Sequence, residues 1–244
     1  MVPECDAFVS AGRILPLWGI LAHHKIVWRN AKKEKVQFAM SRLLYVEASP
    51  RKDRSVSSNA ASAFLEAYQQ ANTNDTVDHL DIWSPDLPAL DQDALDAKYA
   101  GLSGQDRTPP QEAAWQKLKS YADRFRAADK ILISVPMWNF GIPYRLKQLI
   151  DVVSHKDLLF TFDERGLNGL LTNSKALVIY ARGISYETGG MTPAPEWDHQ
   201  KPYLELWLKF IGVPDVSSLV IEKTLMGDEL DAACKNARTL AATF

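Results

Sequence analysis

From position 42 onward, short apolar runs alternate with stretches in which apolar side chains recur every three or four residues. The runs at 43–46, 131–135, 176–180 and 218–221 have strand length and are nearly continuous. That pattern marks strands covered on both faces of a parallel sheet. The run 77–83 is broken by Asp78, His79 and Asp81 and reads as an edge strand. Helical stripes lie between the runs: Ala61, Phe64, Leu65 and Tyr68, then Trp115, Leu118, Ala122 and Phe125. Leu146, Leu149, Ile150 and Val153 form a third, Tyr203, Leu206, Trp207 and Phe210 a fourth, and Leu230, Ala233, Cys234 and Ala237 a fifth. Five strands alternating with helices predict a doubly wound α/β fold of three layers in a single domain, 41–244. Right-handed crossovers select a five-stranded parallel sheet of order 2-1-3-4-5 with helices on both faces. Ligands of such sheets bind outside the carboxyl ends of the strands, where the strand order switches. Here those ends are the loops after Val46, Val135 and Tyr180.

Composition narrows the chemistry. The chain has 244 residues, 28 Lys and Arg against 30 Asp and Glu, and 46% apolar residues, a globular balance with no polyanion-binding footprint. With two cysteines, Cys5 and Cys234, and no CxxC pattern, a disulfide scaffold and a structural zinc site are excluded. No apolar run reaches the roughly 18–20 residues that span a bilayer, and the expected location is the cytoplasm. Residues 1–40 stand apart, with six basic against three acidic side chains, whereas the remainder has 22 against 27. The apolar stretch 14–22 follows Glu4 and Asp6 rather than basic residues, and no small-x-small cleavage site follows His23-His24, which argues against a signal peptide. The expectation is an N-terminal extension outside the fold, ahead of a start at Met40.

The three loops differ in chemistry. The first, 49–58, carries Ser49, Ser55, Ser57 and Ser58 beside Arg51 and Arg54 at a helix start, without GxGxxG or a P-loop. A phosphate monoester suits free amides and hydroxyls at a positive helix end; an ordinary serine N-cap suits them equally. The second, 136–143, places Trp138 and Phe140 at a strand end, with Pro143 at the expected first helical position. The two rings either cap the core or wall a flat heteroaromatic ring that Asn139 addresses. The third, 181–190, has Gly183, Gly189 and Gly190, which permit close backbone approach or simply a turn. Together the three describe a flavin mononucleotide site.

These residues resemble the FMN-dependent NADH-azoreductases, within the flavodoxin-like quinone reductases, over 42–244. Pro136-Met137-Trp138-Asn139-Phe140, with Ile142 and Leu146-Lys147, resembles that family's P-M-[YW]-N-F-x-I-x-x-x-L-K signature. Ser49, Ser55 and Ser57 match its phosphate-loop spacing, and Phe160, Phe162, Glu164, Gly166 and Gly169 resemble its F-x-[YF]-x-E-x-G-x-x-G-L segment. Ala181-Arg182-Gly183 is similar to its [SA]-R-G-G turn, with Ile184 in place of the second glycine.

The resemblance implies a flavodoxin-like fold and a homodimer with one FMN per subunit. NADH or NADPH would reduce the flavin, and a quinone or azo compound would then take two electrons. It also implies roles for particular residues. Ser49, Ser55, Val56 and Ser57 would hold the phosphate, and Met137, Trp138, Asn139 and Phe140 would flank the isoalloxazine. Ala181, Arg182, Gly183 and Ile184 would sit at its polar edge. Phe160 and Phe162 would line the acceptor pocket, across the dimer or as interface packing. No protein group need be catalytic and no metal is needed, since the flavin carries the chemistry. GxSxG and HExxH are both absent, and His155 and His199, near helix ends, are expected at the surface. The alternative is a flavodoxin-type carrier of single electrons to protein partners, which would want an acidic face where Arg51, Lys52 and Arg54 stand.

Overall fold

The computed structural model describes residues 40–227 and 229–244. The expectations for residues 1–39 lie outside the described residues.

Five strands form one parallel sheet: β1 (Arg42–Glu47), β2 (Thr76–Asp81), β3 (Lys130–Pro136), β6 (Lys175–Ala181) and β7 (Asp215–Ile221). Their order is β2-β1-β3-β6-β7. Strand numbering departs from the expected 2-1-3-4-5 because a separate antiparallel hairpin intervenes, β4 (Phe160–Asp163) with β5 (Gly166–Gly169). Those two strands are four residues each and mostly exposed, so they leave no alternating apolar signal.

The continuous apolar runs divide between two cores, because successive strand side chains point to opposite faces. Leu44, Val46, Ile131, Ile133, Val135, Val178 and Tyr180 face one core with side chains from α3 (Pro109–Arg126), α4 (Tyr144–Val153) and α6 (Lys201–Phe210). Leu43, Tyr45, Leu132, Leu177 and Ile179 face the other, under α1 (Val56–Ala71) and α7 (Leu230–Ala241). The edge position of β2 explains its polar residues: Asp78 is paired with Arg42 at 2.7 Å and Arg124 at 2.6 Å.

Local boundaries differ from expectation in several places. Helix α1 starts at Val56, its N-cap being Ser55, and Pro143 is the N-cap of α4 rather than its first helical residue. Helices α2 (Gln92–Leu102) and α5 (Ala194–Trp197) were not predicted. Helix α2 buries only Ala94, Ala97 and Ala100, small side chains that give a weak stripe. His155 is buried, against expectation, whereas His199 is exposed. No helix among the described residues is long and apolar enough to cross a membrane.

Candidate functional site

Strands β1, β3 and β6 are neighbours, so the loops leaving their carboxyl ends lie side by side. The first loop turns through a short 3-10 segment (Lys52–Arg54) into α1. Ser49, Ser55, Ser57 and Ser58 are all buried there. Ser55 Oγ accepts from the Ser58 amide at 3.4 Å and lies 3.1 Å from Ser57 Oγ, so the serine N-cap is real. It does not use up the donors, however. Ser58 Oγ is buried and turned towards Tyr45 and Glu47, whereas Ser55 and Ser57 line the helix start, and the first turn of this 16-residue helix holds no acidic side chain. The positive helix end therefore meets buried hydroxyls and no resident counter-charge in that turn, which is a cradle for an anion.

Glu47, at the end of β1, is buried beside this loop but is otherwise engaged. Lys52 Nζ lies 3.2 Å from its carboxylate and 2.6 Å from that of Asp81, and His79 Nε2 lies 3.2 Å from Glu47. Burial opposes ionisation of Glu47, but the His79 and Lys52 contacts outweigh it and hold its carboxyl below the usual range. The ion pairs brace the loop from beneath.

The second loop is a tight two-residue turn. Trp138 and Gly141 exchange both backbone hydrogen bonds at 3.0 Å, and the residues between them have positive φ, 46° at Asn139 and 69° at Phe140. Asparagine tolerates that conformation; phenylalanine does not, at a cost of about 1–2 kcal/mol. The turn places two rings at the surface rather than in the core, with Trp138 36% and Phe140 40% exposed. Trp83 tilts against Trp138 with centroids 5.7 Å apart, and Trp197 meets Phe140 edge-on at 5.1 Å. The rings stand supported from the side with surface left uncovered.

The third loop is built on a buried cation. Arg182 reaches Asp198 at 2.5 Å, Glu222 at 3.3 Å and Gln200 Oε1 at 3.3 Å. Its guanidinium is thus already neutralised, and it positions the loop rather than addressing a ligand. A Cβ at Gly183 would stand 2.9 Å from Leu225 Cδ1, the end of an exposed side chain that can move aside, so packing alone does not demand glycine there. Ile184 is partly exposed beyond it.

Loops two and three are tied together. The Met137 amide donates to Ala181 O at 2.8 Å, His199 N to Phe140 O at 2.9 Å, and Gln200 Nε2 to Val135 O at 3.3 Å. Trp83 joins loops one and two, its indole N–H donating to Ala48 O at 3.1 Å while its ring rests on Trp138. Trp83, Asp198 and Gln200 were missed from sequence because each acts through distant partners and belongs to no motif. Ser49, Ser55, Val56, Ser57, Met137, Trp138, Asn139, Phe140, Ala181, Arg182, Gly183 and Ile184 all lie on the three adjoining loops or on the first turn of α1 and the last residue of β6 that bound them. Phe160 and Phe162 do not; they stand on the hairpin, facing a separate cavity beside α2 and α3.

Residues 41–243 match a family described by its flavodoxin-like fold. An FMN-dependent NADH:quinone oxidoreductase of Burkholderia lata is 50% identical over 210 residues, covering 84% of this chain and all of that protein. One from Nitratidesulfovibrio vulgaris is 47% identical over 201 residues, covering 82% of this chain and 95% of its own. The chain belongs to this flavodoxin-like family of oxidoreductases. Among solved structures, an FMN-dependent NADH-azoreductase of Bacillus anthracis in complex with FMN is similar with a TM-score of 0.75 at 27% identity. That likeness covers 84% of this chain and 99% of the Bacillus protein.

Proposed function

We propose that this chain is an FMN-dependent oxidoreductase that uses NADH to reduce quinones and aromatic azo compounds by two electrons. The carrying observation is the juxtaposition of buried hydroxyls at an acid-free helix start with a strained turn that keeps two aromatic rings uncovered. The relatives' names, with their NADH, quinone and FMN, support the same reading.

The residues fit FMN. Ser49, Ser55 and Ser57 hold its phosphate through hydroxyls and, with Val56, through backbone amides. Met137, Trp138, Asn139 and Phe140 flank the ring system. Ala181, Arg182, Gly183 and Ile184 meet its polar edge through backbone groups, the Arg182 side chain being committed inside the loop. Ile184 presents an amide there as glycine would, with its side chain turned to the partly exposed side. The chemistry supplied by bound FMN is hydride acceptance from the nicotinamide and two-electron donation to the acceptor. This chain's part is to bind, orient and shield.

A homodimer belongs to the same proposal. Phe160 and Phe162 lie away from the loops of their own chain, and Phe162 is 50% exposed. In a dimer they line the acceptor pocket of the neighbouring subunit. The proposal is tested by steady-state NADH oxidation by FMN-loaded protein with menadione. Parallel double-reciprocal lines are expected, because the donor leaves before the acceptor binds. Intersecting lines, or no turnover, overturn it.

A further inference from the structure

Sheet pairing stops short of the first two loops. The last rung between them is the Ala48 amide donating to Ser134 O at 3.0 Å. Beyond it the chain paths part, loop one turning into α1 over one core and loop two into α4 over the other. Among the described residues no backbone hydrogen bond joins 49–55 directly to 137–143. Their spacing depends on what bridges them from outside.

The bridge is the exit of β2, residues 81–84. It is fastened to loop one twice. The Trp83 indole N–H donates to Ala48 O at 3.1 Å. The Trp83 amide donates to Asp81 Oδ1 at 3.0 Å, and the same oxygen takes Lys52 Nζ at 2.6 Å. Lys52 has a left-handed backbone, φ 51°, and its carbonyl accepts the Ser55 amide at 2.9 Å. Few L residues adopt that conformation, and ion pairs to Asp81 and Glu47 fasten this one.

On the other side the bridge grips loop two and the start of α4. The Trp83 ring lies 5.7 Å from that of Trp138 and meets Tyr144 edge-on at 5.4 Å. Arg145, the next residue of α4, clasps the segment on either side of Trp83. Its Nε donates to Ile82 O at 3.1 Å and its Nη2 to Ser84 O at 2.8 Å. Trp83 is thus held in place by α4 while its own side chain reaches both loops.

We propose that Trp83 is a positioning residue that sets the span between the phosphate cradle and the aromatic wall, with Asp81 as its anchor to Lys52. The inference rests on the FMN reading above and deepens it. A ligand with two recognised ends gains from both at once only when the halves of its site stand at a matching distance. Riboflavin and inorganic phosphate each offer one recognised end and make no such demand. Trp83 therefore acts on the preference for FMN over either fragment, through the loops it joins.

The test is titration of FMN and of riboflavin into flavin-free full-length protein, followed by flavin fluorescence, with inorganic phosphate as a competitor of FMN. The native chain should bind FMN at least about a hundredfold more tightly than riboflavin, the lower end of the gain from linked groups. Trp83→Phe keeps a ring beside Trp138 and loses the N–H. It should weaken FMN at least about tenfold, and riboflavin and phosphate each by less than about twofold. Asp81→Asn, on a partly exposed side chain, gives a second reading should Trp83→Phe fail to fold. Removing that negative charge would by itself favour an anion, so weaker FMN binding there reports the lost anchor. A fall of at least about threefold is expected, without loss of phosphate affinity. If Trp83→Phe weakens FMN and riboflavin by the same factor, Trp83 is only part of the ring wall. If it weakens FMN and phosphate together, Trp83 is only part of the cradle. Either result overturns the proposal, as does unchanged FMN affinity in either variant. A native chain that binds neither flavin overturns the FMN reading itself, and this inference with it.

Discussion

Phe140 carries a backbone conformation that its side chain opposes, at a position where glycine would be relaxed. Strain of that kind persists where the surroundings hold it and clusters at functional sites. Phe140→Gly removes the strain but also the edge contact with Trp197, so stability should change by less than about 1 kcal/mol. FMN affinity should fall at least about fivefold, since base-stacking surfaces of this kind contribute about 1–3 kcal/mol. Urea unfolding together with flavin titration checks both, and a large stability loss with intact FMN binding contradicts the account. Ser55 is the other residue on which the site turns. Ser55→Ala should weaken FMN binding by about 1–3 kcal/mol, the cost of losing a hydrogen bond to a charged group. Fluorescence quenching of added FMN measures it, and unchanged affinity removes Ser55 from the phosphate cradle. Both residues were legible in the sequence through their spacing within short motifs. The strain at Phe140 was not, because a φ angle is set by the turn that Trp138 and Gly141 close. Nor was the pairing of Arg182 with Asp198 and Glu222, 16 and 40 positions away.

At the level of elements, long apolar runs and strong stripes were legible and short or weakly amphipathic pieces were not. Strands β1, β3 and β6 announce themselves because both of their faces are buried. The β4–β5 hairpin shows almost no burial, and its place is fixed instead by a backbone crossing. Gly169 packs so closely on the turn after α6 that an added Cβ would lie 2.1 Å from Gly212 N and 2.3 Å from Ile211 C. Neither obstacle is a flexible side chain. Gly169→Ala should therefore destabilise the protein by at least about 3 kcal/mol, the upper part of the range for overpacking. Hydrogen exchange should show the loss first in the hairpin, and a substitution without effect on stability would mean that the crossing is looser than described. Because the hairpin carries Phe160 and Phe162, the same variant should lose acceptor turnover before it loses FMN.

Across the whole molecule, the two cores hold the sheet rigid while the chemistry is gathered at one edge of it. The five-stranded architecture was readable from the order of runs and stripes, whereas the burial of His155, just after α4, was not, because it follows from packing against Trp115 on α3, distant in the chain. Its depressed pKa of about 4 links it to global stability. The unfolded chain takes up that proton near the ordinary value of about 6.5, before the folded protein does. Stability is therefore fully present above about pH 6.5 and declines as pH falls toward about 4. The contribution lost at about pH 5 is on the order of 2 kcal/mol. His155→Phe should flatten that part of the profile relative to the native chain, as read from urea midpoints at neutral and mildly acidic pH. An unchanged slope would mean that His155 titrates normally.

The central claim, that the three loops hold FMN for two-electron reduction, is tested most directly by the visible spectrum of the purified full-length protein under anaerobic conditions. Flavin bands should be present, or appear on adding FMN, and the flavin released on denaturation should be FMN. The bands should bleach with NADH and return with menadione. A protein that stays colourless after soaking with FMN, or FMN bands that NADH does not bleach, would contradict the account.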